Sequence, residues 1–317
     1  MEIFRKIVEN KKGFEMNFAW IFGILVGVVI LVIALYATSN LVEVEDSFSE
    51  TKTAKQLGIL LNPLETGLEE SSYAMIGLPV ETQIINDCED FGNFGKQIIS
   101  INDKKGLGDF REAGKRISFY NKYLFSKKIE EGKNIHLIVK PLELPYKIAD
   151  MIFATTENYC FVNPPSKIEE EIDDLNPAHI FQNDSLENCP ENSRSVCFGS
   201  SGGCDIEVNP SGKFVTKNGE TVYYVDSLIY GAIFADTEIY ECQVKRLMKR
   251  NVELAYLYSE KSNFLSGKGC SSNLGAELLN FAATLNLGDE GSSKLMGISN
   301  TAKNLRYKNE QLVCEIF

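Results

Sequence analysis

The most pronounced feature of the hydrophobic pattern is a long apolar run near the start of the chain. From Phe18 to Ala37 about twenty residues carry no charge and include no proline. As a helix they span roughly 30 Å, which matches the hydrocarbon core of a bilayer. Trp20 and Tyr36 lie near the two ends, where amphipathic rings favour the headgroup region. The pattern therefore predicts a transmembrane helix over residues 17–38 that contacts the lipid bilayer.

Charged residues on either side of this run predict its orientation. Four basic residues precede the run, whereas the first basic residue after it is Lys52. The positive-inside rule makes residues 1–16 a cytoplasmic tail and places the rest of the chain outside the cell. We expect a single-pass protein of the cell membrane with a cytoplasmic N-terminus and an extracellular C-terminal domain. A cleaved export signal, with a mature start near Ser39, is the alternative, but such signals have a shorter apolar region of roughly 7–15 residues.

Apolar residues recur at helical spacing for several more turns beyond the run, until Asn62-Pro63 interrupts the pattern. The spacing predicts one long helix over about residues 14–61 whose outer half is a stalk. An asparagine followed by proline predicts a short second helix that ends near Ser71. Residues 39–71 are therefore expected to form a helical stalk.

Short apolar runs between turn residues predict that residues 72–230 form a β-rich extracellular region. The clearest hairpin lies over residues 213–225, because Asn218-Gly219 tolerates the positive φ angles of a type I′ turn. Residues 163–195 are polar, are predicted to be a connection or a weak helix, and are the best candidate for a mobile insertion. Strands are expected at Tyr73–Ile76, Gln97–Ile101, Ile135–Val139 and Tyr159–Val162.

The last third of the chain has a strong helical period. Apolar residues recur at spacings of three and four in three stretches, residues 238–264, 274–287 and 298–316. We expect residues 231–317 to form three helices that pack as an antiparallel bundle or cover a sheet. A coiled coil that binds a partner is the alternative. Together with the β-rich middle, these helices place the chain in the α+β class.

Eight cysteines follow the apolar run and none precedes it. An even set of cysteines on the extracellular side predicts a disulfide framework that stabilises the domain. Zinc binding is not expected, because the spacings lack short Cys-x2–4-Cys knuckles and only His136 and His179 offer imidazoles. The cysteines are Cys88, Cys160, Cys189, Cys197, Cys204, Cys242, Cys270 and Cys314.

Helix geometry selects one of the disulfide pairs. The first C-terminal helix is expected to be roughly 40 Å long, with Cys242 near its start and Cys270 beyond its end, so these two cannot pair. The next two helices run back and forth and return Cys314 to the end that holds Cys270. We therefore predict a Cys270–Cys314 bridge, with Cys242 left to pair with the β region. Cys197–Cys204 is the pair expected across a glycine-rich loop.

The acidic composition restricts the partners of the chain. It carries 32 basic and 44 acidic residues, a net charge of −12. A surface of this charge repels nucleic-acid backbones, so no nucleic-acid partner is expected. Asn183 begins an Asn-x-Ser sequon in a polar stretch and is a candidate for glycosylation.

No motif of the chain predicts catalysis or a cofactor. Residues 199–203 fit a G-x-S-x-G pattern around Ser201, but the residues that follow have the pattern of a strand, whereas a nucleophile elbow requires a helix there. We interpret these residues as a hairpin loop between strands near Val196 and Cys204. Phosphate-loop, zinc-protease and dinucleotide motifs are absent from the sequence. We therefore expect a protein that is not an enzyme and that holds no metal or cofactor.

Residues 10–38 resemble a known processing signal. The sequence KKGFE before an apolar helix is similar to the class III signal of archaeal type IV pilin-like proteins, in which a membrane peptidase cuts after a glycine. The resemblance implies that Gly13 is the last residue removed, that Phe14 is the new N-terminus and that the tail is a prepilin-like leader. Such proteins usually carry glutamate at the fifth position after the cut, where this chain has Phe18, with its acid at Glu15.

Together these features predict a membrane-anchored, disulfide-stabilised extracellular protein with a structural or binding role. The pilin resemblance supplies an alternative, in which the chain is a filament subunit whose partners are copies of itself and whose spine is the helix over residues 14–61. A membrane-tethered extracellular hydrolase that acts through Ser201 is a second alternative.

Overall fold

The structure is a computed structural model, and the residues it describes belong to two compact units. The first unit is Met1–Ser49 and the second is Glu50–Phe317. The described residues are 25–36, 71–103, 110, 116–199, 202–270 and 272–317.

Residues 25–36 form helix α1, the described part of the first unit. At 1.5 Å per residue the twelve described residues span about 18 Å, which is less than the roughly 30 Å of a hydrocarbon core. In the part of the chain that the structure describes, no helix combines the length and the apolar character needed to cross a membrane. The prediction of a transmembrane helix over 17–38 within a continuous helix over 14–61 is therefore wrong. Residues 1–16 and 39–70 lie outside the described residues.

The first six-stranded sheet contains the strands that come earliest in the second unit. Its order is β3-β2-β1-β5-β6-β4, and all neighbours are antiparallel except β4 and β6. The three predicted strands of this region fall within β1, β2 and β5, so their prediction is confirmed, although β1 and β5 are much longer than the predicted runs. The strands are β1 (Ser72–Glu89), β2 (Lys96–Asp103), β3 (Ile117–Phe119), β4 (Leu124–Phe125), β5 (Ile129–Glu143) and β6 (Lys147–Thr155).

The second six-stranded sheet has the order β12-β11-β10-β9-β7-β8. Strands β8, β7, β9 and β10 are mutually parallel, and β11 and β12 continue the sheet antiparallel. The hairpin between β11 and β12 turns at Asn218 and Gly219, with φ angles of 52° and 78°, which confirms the predicted type I′ turn. The strands are β7 (Asn158–Val162), β8 (Ile180–Asn183), β9 (Ser193–Phe198), β10 (Ile206–Asn209), β11 (Phe214–Lys217) and β12 (Glu220–Tyr223).

Residues 163–195 are part of the second sheet. They contain helix α2 (Ser166–Leu175), which connects β7 to its parallel neighbour β8, and a 3-10 helix at Leu186–Asn188 that leads towards β9. The weak-helix interpretation of this segment is confirmed by α2. Its description as an insertion is wrong, because β8 pairs with β7 over four residues and the disulfide Cys160–Cys189 ties the segment to the sheet.

The connection after β9 differs from the predicted hairpin. Strand β10 pairs with β9 in the parallel direction, with Ile206 opposite Val196 and Val208 opposite Phe198. The hairpin interpretation is wrong, because the connection returns the chain to a position beside Val196, so that β10 runs in the same direction as β9. Gly199, with a φ of 107°, begins this return.

The C-terminal helices agree with the predicted three-helix pattern. Helix α4 (Thr237–Ser266), helix α5 (Leu274–Thr284) and helix α6 (Leu295–Glu310) overlap the predicted stretches, and a 3-10 helix at Gly288–Lys294 joins the last two. They are preceded by a short helix that the sequence analysis did not predict, α3 (Leu228–Phe234), in which every residue is buried. A helix apolar on all sides lacks the polar face that makes a helical period visible.

Strand β5 separates two apolar clusters. Ile138 and Leu142 face the main core, which is shared with the second sheet and the C-terminal helices, whereas Ile135, Leu137 and Val139 belong to a second cluster. Alternate residues of a strand point to opposite faces, which explains the division. Each fully buried side chain of this size contributes about 1.5–3 kcal/mol.

Four disulfides join all eight cysteines. Cys197–Cys204 and Cys270–Cys314 are the two pairs selected from the sequence, and Cys242 pairs with the β region as expected. The cysteines of Cys160–Cys189 and Cys197–Cys204 surround Val162 in a small apolar cluster of their own, separate from the main core. The complete set is Cys88–Cys242, Cys160–Cys189, Cys197–Cys204 and Cys270–Cys314.

Candidate functional site

A cleft of about 510 Å³ lies beyond the carboxyl ends of two parallel strands of the second sheet. Pro165 follows the end of β7, Pro210 follows the end of β10, and both line the cleft. Ligands of sheets with parallel strands characteristically bind outside the carboxyl ends of those strands. The volume is within the range of clefts that hold small molecules, roughly 300–1,000 Å³. We refer to it as the α2–α6 cleft, because these two helices contribute eight of its lining residues.

The sequence of α2 explains how this helix presents charged groups to the cleft. Ile168 and Ile172, one turn apart, pack on the main core, and the left-handed Asn176 ends the helix. Lys167 and Glu171 are also one turn apart and therefore share a second face, which lines the cleft. The amphipathic pattern thus fixes the helix on the core and leaves its charged face towards the cleft.

Two ion pairs connect different elements around the cleft. Lys167 Nζ on α2 lies 3.4 Å from Asp226 Oδ1. Arg306 on α6 lies 3.0 Å from Glu143 Oε2 and also donates from Nε to the carbonyl oxygen of Pro145 at 2.8 Å. These cations are therefore neutralised by carboxylates of the protein itself.

A third carboxylate, Glu171, is held by two buried groups. Lys140 Nζ lies 2.5 Å from Glu171 Oε2, and the Tyr230 hydroxyl donates to the same oxygen at 2.7 Å. Lys140 Nζ also lies 4.9 Å from the centre of the Tyr230 ring. Burial, together with the nearby Glu171 carboxylate, raises the pKa of Tyr230 far above its usual range, so the hydroxyl remains a donor. This group fastens α2 to strand β5.

Two lysines that line the cleft, Lys213 and Lys303, are exposed and form no ion pair with a described carboxylate. Lys213 Nζ lies 5.7 Å from the centre of the Tyr224 ring. Burial raises the pKa of Tyr224 to about 12, so its hydroxyl is protonated at neutral pH. The cleft therefore offers two ammonium groups that pair with no described carboxylate, one of them beside a buried tyrosine, and such groups can bind an anion.

The two histidines of the chain meet outside the cleft, between the two sheets. The ring centres of His136, on β5, and His179, just before β8, are 4.2 Å apart and the rings are inclined by 21°. The Tyr73 hydroxyl is hydrogen-bonded to His136 Nδ1 at 2.8 Å. His179 Nδ1 is buried and has no hydrogen-bond partner among the described residues.

Burial controls the ionisation of this histidine pair. It lowers the pKa of His136, and it lowers the pKa of His179 to about 3 with a further contribution from the charge of His136. Neither ring forms a hydrogen bond or ion pair with a described serine or carboxylate, so the pair lacks the hydrogen bonds of a catalytic triad. Within the described residues no group of three metal-ligating side chains is assembled.

The residues selected from the sequence that the structure describes do not line the cleft. Asn183 ends β8, is half-buried, and donates from Nδ2 to Cys160 Sγ at 3.4 Å. Gly13, Phe14 and Ser201 lie outside the described residues. The sequence analysis did not select the cleft lysines, because isolated lysines in polar stretches carry no pattern that distinguishes them from ordinary surface residues.

Comparison with known proteins gives no relative of this chain. No protein-family model, no curated protein and no solved structure matches it. Any ligand of the α2–α6 cleft must therefore be inferred from the chemistry of its own residues.

Proposed function

We propose that the chain is an extracellular binding protein that captures a small organic anion in the α2–α6 cleft. The observation that carries this proposal is the presence of Lys213 and Lys303, both without a carboxylate partner among the described residues, in a protein with a net charge of −12. The two other cations that line the cleft, Lys167 and Arg306, are already paired with carboxylates. An anion that enters the cleft gains charge-assisted hydrogen bonds from the two remaining ammonium groups.

The size and the lining of the cleft support an organic ligand rather than a bare ion. Ile168, Ile229 and Met296 supply apolar surface, and Tyr224 supplies an aromatic face. A small carboxylate, phosphate ester or sulfate ester matches this combination of apolar walls and a few convergent donors. The carboxylates Glu143 and Asp226 at the same cleft disfavour a polyanion that would cover its whole length.

The cysteine pairing supports the extracellular location. All eight cysteines are paired and none is free. Disulfides persist in oxidising compartments and are rare in the reducing cytosol. A framework of four bonds therefore suits a domain that works outside the cell.

Isothermal titration calorimetry at pH 7.5 tests the proposal with two probes, citrate and benzene-1,3-disulfonate. We expect saturable binding at low ionic strength, weakened about tenfold or more in the double variant Lys213→Ala, Lys303→Ala because charge-assisted contacts are lost. The control is Lys133→Ala, Lys268→Ala, which removes the same charge from exposed lysines outside the cleft. Equal weakening in both double variants, or no binding of either probe by the unmodified protein, would contradict the proposal.

A further inference from the structure

Strand β5 holds the α2–β8 segment, residues 166–183, at two points. His136 and Lys140 are four residues apart on β5 and therefore lie on the same face of the strand. Lys140 pairs with Glu171 in α2, and His136 stacks on His179 at the start of β8. The segment that forms one wall of the α2–α6 cleft is thus attached to the first sheet through an ion pair at one end and a histidine pair at the other.

The surroundings of the histidine pair favour the neutral form of both rings over the protonated form. Tyr73 from β1 is hydrogen-bonded to His136, and Phe234 from α3 lies 6.3 Å from His179 between ring centres. Tyr159 on β7 donates its backbone N–H to the carbonyl oxygen of His179. No described carboxylate forms an ion pair or hydrogen bond with either imidazole. Two protonated rings would therefore be buried like charges in contact, without a described carboxylate to neutralise them.

The other attachments of the α2–β8 segment are few. The Tyr230 hydroxyl donates to Glu171, and Lys167 pairs with Asp226 at the surface. Strand β8 is the edge of its sheet and pairs with β7 alone. In α2, Ile172 is the one fully buried residue. Cys189, which follows β8 in the chain, is bonded to Cys160 of β7. This disulfide limits how far the segment can separate from the second sheet. A segment with few buried residues and one neighbouring strand belongs to the part of a fold that opens first.

We propose that the His136–His179 pair is an acid-sensitive latch that controls the wall of the α2–α6 cleft. At neutral pH the stacked rings hold the α2–β8 segment on β5. At acid pH protonation separates the rings, the segment moves away from β5, and the cleft loses its shape. The regulatory part of this inference rests on the proposed function, because it assigns the ligand to this cleft, whereas the opening itself does not depend on any ligand.

Hydrogen–deuterium exchange of the full chain without ligand tests the opening. Protection factors, corrected for the intrinsic effect of pH, are compared between pH 7.0 and pH 4.5. We expect protection of residues 166–183 to fall about tenfold or more at pH 4.5, while helix α4 (residues 237–266) keeps its protection. The double variant His136→Phe, His179→Phe retains two aromatic rings that cannot be protonated, and it should keep the segment protected at both pH values.

Two further variants keep the test decisive. His179→Gln replaces the ring by a neutral amide if the double variant does not fold, and it should reduce the pH effect as well. Lys140→Met removes the other attachment and should lower protection of the segment at both pH values equally. Unchanged protection of residues 166–183 at pH 4.5 in the unmodified protein, or an equal loss in the phenylalanine variant, would overturn the latch.

The link to ligand binding is measured separately with benzene-1,3-disulfonate, which stays dianionic over this pH range. We expect its affinity to fall more than tenfold from pH 7.0 to pH 4.5 in the unmodified protein and to change little in His136→Phe, His179→Phe. Acid opening without any binding of the probe at pH 7.0 would contradict the proposed function while leaving the latch intact. Binding that is insensitive to pH, with the segment protected throughout, would contradict the latch alone.

Discussion

The guanidinium of Arg246 lies 4.8 Å from the centre of the Tyr123 ring and is fully buried. No described carboxylate pairs with it. Its N–H groups donate instead to a side-chain amide of the same helix and to backbone carbonyls of the loops that flank β2, β3 and β4. The acceptors are the Gln243 amide oxygen and the carbonyl oxygens of Phe94, Phe119, Tyr120 and Lys122. Arg246 thereby fastens helix α4 to the first sheet.

Replacing this arginine should be strongly destabilising. We expect Arg246→Leu to lower the free energy of unfolding by about 3–5 kcal/mol, because several buried carbonyls lose their donor at once. Urea denaturation followed by circular dichroism measures the loss. Arg116→Leu is the control, since Arg116 is exposed and pairs with Asp87 at the surface, where removal costs about 0–1 kcal/mol. Similar losses in the two variants would contradict the role of Arg246.

A buried lysine should stabilise the fold by binding the last carbonyl groups of helix α3. Lys217 Nζ donates to the carbonyl oxygens of Ala232, Ile233 and Ala235 at the C-terminal end of that helix. Lys217→Met should lower the free energy of unfolding by about 2–4 kcal/mol, because the last carbonyls of the helix become unsatisfied. Thermal denaturation measures the effect.

Lys213→Met is the matched control for Lys217→Met, since Lys213 precedes the same strand but is exposed in the cleft. It should change the free energy of unfolding by less than about 0.5 kcal/mol, and under the proposed function it should weaken anion binding. Lys217 is therefore expected to contribute to stability and Lys213 to anion binding. A loss of stability in Lys213→Met would contradict this assignment.

The stability of the unmodified protein should decrease in acid because of the histidine pair. The pKa of His179 is lowered to about 3 in the folded state, whereas a histidine of the unfolded chain has a pKa near its ordinary value of about 6.5. Between these values the unfolded state binds more protons, so the free energy of unfolding falls as pH decreases below about 6.5. We expect a loss of about 2–3 kcal/mol from pH 7.0 to pH 4.5.

Urea denaturation of the unmodified protein and of His179→Phe at these two pH values measures this contribution. The variant should be less sensitive to acid by about 2 kcal/mol, since it lacks the group that takes up the proton. An identical pH dependence in the two proteins would show that other groups are responsible.

The four disulfides should differ in their contribution to stability. Cys88 and Cys242 are 154 residues apart, whereas Cys197 and Cys204 are 7 apart. Restriction of the unfolded chain grows with the loop that a bond closes, which gives about 5 kcal/mol for the first pair and about 2 kcal/mol for the second. Replacing both cysteines of each pair by alanine and measuring urea denaturation tests the order. A larger loss for Cys197–Cys204 would contradict it.

The features that could be predicted from the sequence are those determined by neighbouring residues. The period of α4 to α6 marked three helices, and Asn218-Gly219 marked a hairpin, because helical faces and type I′ turns depend on local geometry. The expected length of the first C-terminal helix then predicted that Cys270 and Cys314 lie close together. Each of these inferences required only residues close in the chain or a rigid element of known length.

The features that could not be predicted depend on how distant segments meet. Lys213 and Lys303 reach one cleft from a strand turn and from α6, and His136 and His179 meet across two sheets. No spacing relates such residues before the sheets are assembled. The parallel direction of β10 was missed for a similar reason, since loop composition reports a turn but not the direction of the strand that follows. The apolar run predicted a helix whose described part, residues 25–36, is too short to cross a bilayer.

The disulfide pattern has a consequence for the order in which the chain must oxidise. Three of the bonds join cysteines that are consecutive in the sequence, whereas Cys88–Cys242 encloses two of the others. A chain made from its N-terminus presents Cys88 first, and the next thiol that it meets is Cys160. Cys242, the native partner of Cys88, is synthesised only after both sheets and helix α3. The bond that spans the most of the domain is therefore the one most exposed to wrong pairing, and its yield should depend on a thiol–disulfide isomerase more than that of the other three.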